Sequence, residues 1–471
     1  MTTFVQAVAN QTSRTINDMK AFKDTSNALT DLFFKIGASR GKDIIPDFVK
    51  AYVEDPNLTL RIALWTRDIR GGAGERELFR NILRYLEVND PDAAEKVLVK
   101  IPELGRFDDL FCFQTPRLKN RAYTLLGDAL RAGNGLAAKW CPRKGPVANE
   151  LRSFFGMSPR AYRKTLVNLT KVVEQQMCSN DWDNINFSHV PSLASARYKK
   201  AFNRHTEKFA EYVAALVKGD PNVTVNAGAV YPYDVLKGGV YGHMNYDKTE
   251  LDHIVAQWES LPNYVGDANI LPLVDVSGSM TCTVGNNRTG NLTCLEVAVS
   301  LGLYLAEKNK GKFKDTFLTF SSKSELITLK GNIVQKMQQM HRSHWEMSTN
   351  LHGAFNKILS VAVENNVAQE EMPEILLILS DMQMDRCTQF DDSAYQMIQR
   401  KYEAAGYTCP QIVFWNLNAH DNVPVKAHES GAALVSGFSP AIMKAILAAD
   451  MSEFTPYSIM LKTIMNERYD I

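Results

Sequence analysis

The sequence predicts a multidomain chain, with an all-α helical-repeat array over residues 1–262 and a doubly wound α/β domain over 263–471. Three observations carry this. From Thr15 to about Lys218 apolar residues recur at helix spacing between short Gly, Pro and Asn interruptions, with no strand signal among them. Beyond residue 268, strand-length apolar runs alternate with helices of 10–15 residues. Pro262 and the polar stretch 263–269 form the joint. A chain of 471 residues also exceeds what one core usually supports.

In the first part, helices are expected over 47–53, 58–65, 75–86, 92–100, 118–132, 159–176 and 195–218. Successive short helices without a fixed repeat period favour an irregular, HEAT-like array over regular TPR or ankyrin repeats. In the second part, strands are expected over 270–275, 316–320, 325–328, 374–380, 411–416 and 432–435. Helices fall between them, over 295–308, 333–340, 351–365 and 394–405. Helices interposed between apolar strands imply a parallel sheet covered on both faces.

Composition excludes several classes. Charged residues are 22% and hydrophobic residues 45%, ordinary for a globular protein, which rules out disorder or coiled coil as a description of the whole. The net charge of +1 hides an asymmetry, since residues 1–270 hold 36 Lys+Arg against 31 Asp+Glu and the remainder is acidic. The first twenty residues contain no apolar signal core, and no apolar run reaches membrane-spanning length. Seven cysteines at wide spacing form neither a disulfide framework nor a zinc pattern. A cytoplasmic location with reduced thiols and no membrane partner is therefore expected.

The most informative string is the apolar run 271–274 leading into Asp275-Val-Ser277-Gly-Ser279. In a doubly wound sheet, ligands gather at the carboxyl ends of the strands. One carboxylate and two hydroxyls at i, i+2 and i+4 would sit at that rim. Thr349 precedes a helix and brings a further hydroxyl, and Asp381 follows the strand 374–380 with a second carboxylate. Hard oxygen donors of low total charge suit Mg²⁺, with Mn²⁺ or Ca²⁺ as substitutes. The competing reading is a capping Asp and Ser at a helix start. No positioned base or nucleophile accompanies the set, so no catalytic residue and no enzymatic activity are expected.

The helical part carries a basic bias. Residues 117–171 hold twelve Lys or Arg, opposed only by Asp128 and Glu150, with aromatic residues interleaved. Such a surplus attracts a polyanion, and rings can stack bases. Lys139, Arg143, Lys144, Arg160, Arg163 and Lys164 are the candidate contacts, joined by the later cluster Arg197, Lys199 and Lys200. A glycine-rich stretch at 71–74, flanked by Arg67, Arg70 and Arg76, offers either backbone N–H groups to a phosphate or a plain turn between helices. It lacks the GK[ST] of a nucleotide-binding loop.

The D-x-S-x-S string with the later Thr349 and Asp381 resembles the metal-ion-dependent adhesion site of von Willebrand A domains. On that resemblance Asp275, Ser277, Ser279, Thr349 and Asp381 would bind the ion and leave one position open for a partner's carboxylate. The layout as a whole, with the strings RDIRGGAGER, AAKWCPRKG, SPRAYRKTL and VYPYDVL, resembles TROVE-like proteins of the Ro ribonucleoprotein type. In those proteins helical repeats form a ring that the A domain closes, and RNA binds the ring and its basic exterior. The resemblance implies an RNA-binding ribonucleoprotein scaffold for single-stranded or small structured RNA. The alternative is a metal-dependent protein–protein interaction module without RNA.

Overall fold

The structure, a computed structural model, describes residues 11–471 apart from 238, 243–244, 286–291, 321–323, 343–348, 387–390 and 450. Up to Glu259 it is almost wholly helical. Helix starts follow local chemistry. Asp55 accepts from the Leu58 N–H (2.9 Å) ahead of Pro56, Asp90 caps the helix Pro91–Leu98, and Ser158 caps Pro159–Leu169. In each case a short polar side chain satisfies an orphan donor, and proline takes a position that needs no N–H.

Two expected long helices are each divided. The stretch 159–176 breaks at Thr170, giving Pro159–Leu169 and Val173–Cys178. The stretch 195–218 breaks at Thr206, whose extended backbone ends Ser192–His205 and whose hydroxyl caps Glu207–Lys218. Threonine bonds to neighbouring backbone more readily than it continues a helix. The absence of strands before residue 268 is also corrected. A short antiparallel hairpin, β1 (Thr12–Arg14) and β2 (Lys20–Phe22), precedes the first helix.

The second part is a six-stranded sheet in the order β5-β4-β3-β6-β7-β8. Its strands are β3 (Ile270–Asp275), β4 (Thr316–Phe320), β5 (Glu325–Thr328), β6 (Ile375–Ser380), β7 (Gln411–Asn416) and β8 (Ala432–Ser436). All neighbours are parallel except the edge strand β5. Strands β3 and β6 are buried along their whole length, as a sheet covered by helices on both faces requires. From β3 the chain runs outward through β4 and β5, then returns to place β6 on β3's other side. The crevice at the carboxyl ends of β3 and β6 is therefore the topological switch point.

The two parts share one interior. A single cluster of buried apolar side chains runs from Leu29 to Tyr469. The helix Ala28–Ile36 lies on β8, where Ser436 Oγ donates to the Phe33 carbonyl (2.8 Å) and the Gly37 N–H donates to Ser436 Oγ (3.0 Å). The hairpin docks on the sheet's loops, with Thr15 Oγ1 donating to the Met384 carbonyl (2.7 Å). At the far end of the array, helices Pro232–Val235 and Lys248–Glu259 pack on Cys294–Lys308 and Ile333–Arg342. The helical array thus leaves the α/β domain and comes back to it.

Candidate metal rim and basic face

Asp275 ends β3 and is fully buried. Its Oδ1 accepts the Ser277 N–H (2.9 Å) and its Oδ2 accepts the Ser380 hydroxyl (2.5 Å). Ser277 Oγ lies 3.1 Å from Ser279 Oγ, so two hydroxyls stand together beside the carboxylate. Asp381, just past β6, is 2% exposed, and its Oδ1 accepts the Gln383 N–H (3.2 Å). Burial and the neighbouring Asp381 carboxylate push Asp275 up to about 7. Two buried carboxylates facing each other without a cation are costly, and a divalent ion relieves both terms.

Thr349 is also buried, and its carbonyl accepts the Asp385 N–H (3.1 Å), which ties its segment to the loop that carries Asp381. The structure therefore brings Asp275, Ser277, Ser279 and Asp381 to one rim and seats Thr349 against the same loop. The donor set is two carboxylates and hydroxyl oxygens, the chemistry of Mg²⁺ or Mn²⁺. Among the described residues there is no group of three or more His, Cys, Asp or Glu side chains that could hold a metal ion, so an ion at this rim would rest on two carboxylates with hydroxyl oxygens beside them.

Sequence reasoning missed two contributors. Ser380, the last residue of β6, holds the second oxygen of Asp275. Lys42 reaches across from the helical part, donates to Asn418 Oδ1 (2.8 Å) and to the Ala419 carbonyl, and lies within electrostatic reach of Asp381. Ser380 was readable from its place beside Asp381. Lys42 depends on how the two parts dock, and no local pattern marks it.

The basic candidates divide sharply. Arg67 is corrected: it is 5% exposed, and its Nε donates to Asp109 Oδ2 (2.7 Å), opposite Arg80 on the other oxygen of that carboxylate. It holds two helices together. The glycine stretch is the plain turn. The N–H groups of Gly72, Ala73 and Glu75 donate to the carbonyls of Asp68, Trp65 and Thr66, leaving none of them for a phosphate. A side chain at Gly72 would meet the Trp65 carbonyl oxygen at 1.9 Å, which is why glycine stands there. Arg70 is exposed, and Arg76 pairs with Glu77 (3.2 Å).

Much of the surplus over 117–171 is also neutralised, by carboxylates that lie outside the window or across a helix. Arg117 pairs with Asp92 and Glu95, Lys119 with Glu150, and Lys139 with Glu174. The aromatic residues mostly serve the core: Tyr123 and Tyr162 are buried, and Trp140 stacks under the Arg106 guanidinium at 3.6 Å. Exposed cations remain at Arg143, Lys144, Arg160, Arg163, Lys164 and Lys171, and none of the six has an ion-pair partner among the described residues. Arg143 alone is tethered, donating to Thr170 Oγ1 (3.2 Å).

In the later cluster Arg197 and Lys200 are exposed, and Lys200 sits over the Tyr246 ring. Lys199 is corrected: it is 4% exposed, its Nζ donates to the Ala196 carbonyl (2.8 Å), and burial lowers its pKa to about 8. It is a core lysine capping backbone.

The first part of the chain matches a domain of unknown function, DUF2828, over residues 15–102 and 147–269, and the second matches another, DUF7788, over 269–466. An uncharacterized protein of Acanthamoeba polyphaga mimivirus, L728, is 30% identical, in an alignment covering 96% of this chain and 87% of that one. The chain belongs to the L728 family. Among solved structures, the Ro (RSR) protein of Deinococcus radiodurans is similar at a TM-score of 0.48 and 14% identity, over 94% of this chain and 100% of that chain. Among the described residues of this L728-family protein, no helix is long and apolar enough to cross a membrane.

Proposed function

We propose that this protein is a non-enzymatic RNA-binding scaffold. Its helical part would hold single-stranded or small structured RNA, and its α/β domain would carry a divalent cation for assembly or for docking a partner's carboxylate. The observation that carries the first half is the group Arg143, Lys144, Arg160, Arg163, Lys164 and Lys171, exposed and without carboxylate partners. Arg160, Arg163 and Lys164 stand at i, i+3 and i+4 of the helix Pro159–Leu169 and so share one of its faces, where unpartnered like charges repel and a bound polyanion relieves them by releasing its counterions. Support for the cation is the convergence of Asp275, Ser277, Ser279 and Asp381.

Binding of a labelled single-stranded RNA to the full chain, measured across a salt series with Mg²⁺ and then with chelator, tests the reading. Binding that weakens steeply with salt is the expected result. No binding at low salt, together with capture of a protein partner that chelator abolishes, would replace it with the metal-dependent protein-interaction module.

A further inference from the structure

Beside the metal rim lies a sulfur pair that the proposed function does not use. Cys282 follows the turn that carries Ser277 and Ser279, and Cys294 is the first residue of the helix Cys294–Lys308. The backbone zips the two segments together: the Cys294 N–H donates to the Cys282 carbonyl (3.1 Å), Thr283 bridges Thr293 in antiparallel sense, and the Val284 N–H donates to the Leu292 carbonyl (2.8 Å). Cys282 and Cys294 are therefore directly opposite each other in a hydrogen-bonded antiparallel pair, which brings their side chains to the same place. Their Sγ atoms are hydrogen-bonded at 3.4 Å. Each sulfur is further positioned from the loop after β7, with Asn418 Nδ2 donating to Cys282 (3.5 Å) and Cys294 donating to the Leu417 carbonyl (3.6 Å). Cys282 is half-buried and reachable, whereas Cys294 is enclosed.

We propose that Cys282 and Cys294 form a reversible dithiol–disulfide pair that accepts a small-molecule disulfide such as oxidised glutathione, and that its closure ties the Ser277–Ser279 turn to the first turn of the following helix. Closing the bond needs the sulfurs to move from 3.4 Å to about 2.05 Å, a side-chain rotation rather than a backbone rearrangement. The accessible Cys282 gives up its thiol proton to solvent and attacks one sulfur of the glutathione disulfide, and one glutathione thiolate leaves. The Cys294 sulfur then loses its proton and attacks Cys282 in the mixed disulfide, displacing the second glutathione. Two protein thiols are oxidised to one disulfide, and one glutathione disulfide is reduced to two thiols. Disulfides in reducing compartments are typically of this transient, sensing kind.

The exposed Cys178 provides an internal reference, having no sulfur neighbour among the described residues. The reduced full chain is incubated with oxidised glutathione, alkylated with iodoacetamide without further reduction, and digested with trypsin, which cuts at Arg288 between the two cysteines. The expected result is that the Cys282 and Cys294 peptides are joined and have lost alkylation, while Cys178 carries glutathione. In Cys294→Ser, Cys282 should stop at the glutathione adduct, and dithiothreitol should restore both wild-type thiols. A wild-type chain in which Cys282 ends with glutathione attached, or both thiols stay alkylatable once Cys178 is modified, overturns the proposal. The wild-type result stands whether or not the variant folds.

Discussion

Removing charge from the helix Pro159–Leu169 gives the most direct measurement of the basic face. Arg160, Arg163 and Lys164 are exposed there and lack ion-pair partners, so alanine at all three removes charge without opening the core. If all six cations of the group meet phosphates, the logarithm of affinity should fall with the logarithm of salt at a slope of roughly −5 for duplex-like phosphate spacing and about −4 for a single strand. The triple variant should halve that slope. Between 50 and 200 mM salt, the wild-type protein would then lose on the order of 10²–10³ in affinity and the variant roughly 10-fold to 40-fold. Fluorescence anisotropy of a labelled single-stranded RNA reads both numbers. Arg131, exposed but paired with Asp128, serves as the control whose alanine variant keeps the slope. A triple variant with the wild-type slope would refute the reasoning, because the counterions released would then come from elsewhere.

Three further outcomes are expected. Asp109→Ala leaves the buried guanidinium of Arg67 and the partly buried one of Arg80 facing each other, and should cost about 3–5 kcal/mol in urea unfolding. Asp275, pushed up to about 7 by burial and by Asp381, favours folding while protonated, so the thermal midpoint in chelator should fall as pH rises from about 4 through 7; Mg²⁺ should reduce that fall in the wild type, and Asp275→Ala should lack both the fall and the response to Mg²⁺. Lys199, lowered to about 8, binds its proton more weakly when folded than when unfolded. Stability should therefore climb between pH 8 and about 10.4, a rise that Lys199→Met abolishes in denaturant titrations.

The α/β domain was legible almost strand for strand, because buried parallel strands announce themselves as short apolar runs and Asp275 follows one directly. The same rule marked where Asp275 and Asp381 stand, since strand ends fix where side chains can meet. Charge was read less well. Counting Lys and Arg along a window treats neighbours in sequence as neighbours in space. Asp92 and Glu95, which neutralise Arg117, lie on an adjacent helix more than twenty residues away. Arg67 and Lys199 sit in helices whose apolar spacing leaves their burial ambiguous, and only tertiary neighbours, Asp109 for Arg67 and the Tyr246 ring for Lys199, decide it. The hairpin β1–β2 was missed because three-residue strands carry no periodicity; it is held by docking on the loops beyond β6 and β7.

Arg61 pairs with Asp470 at 2.7 Å, and Asp68 receives both Arg468 (2.9 Å) and the Tyr469 hydroxyl (3.1 Å). Residues four hundred positions apart are clasped, so heating should melt both halves in one transition rather than two. Expressed separately, each half would present to water the apolar surface that the other now covers, and would tend to precipitate. Cutting the chain at the joint near residue 262 should therefore yield a nicked protein that stays together, the two pieces parting only on denaturation.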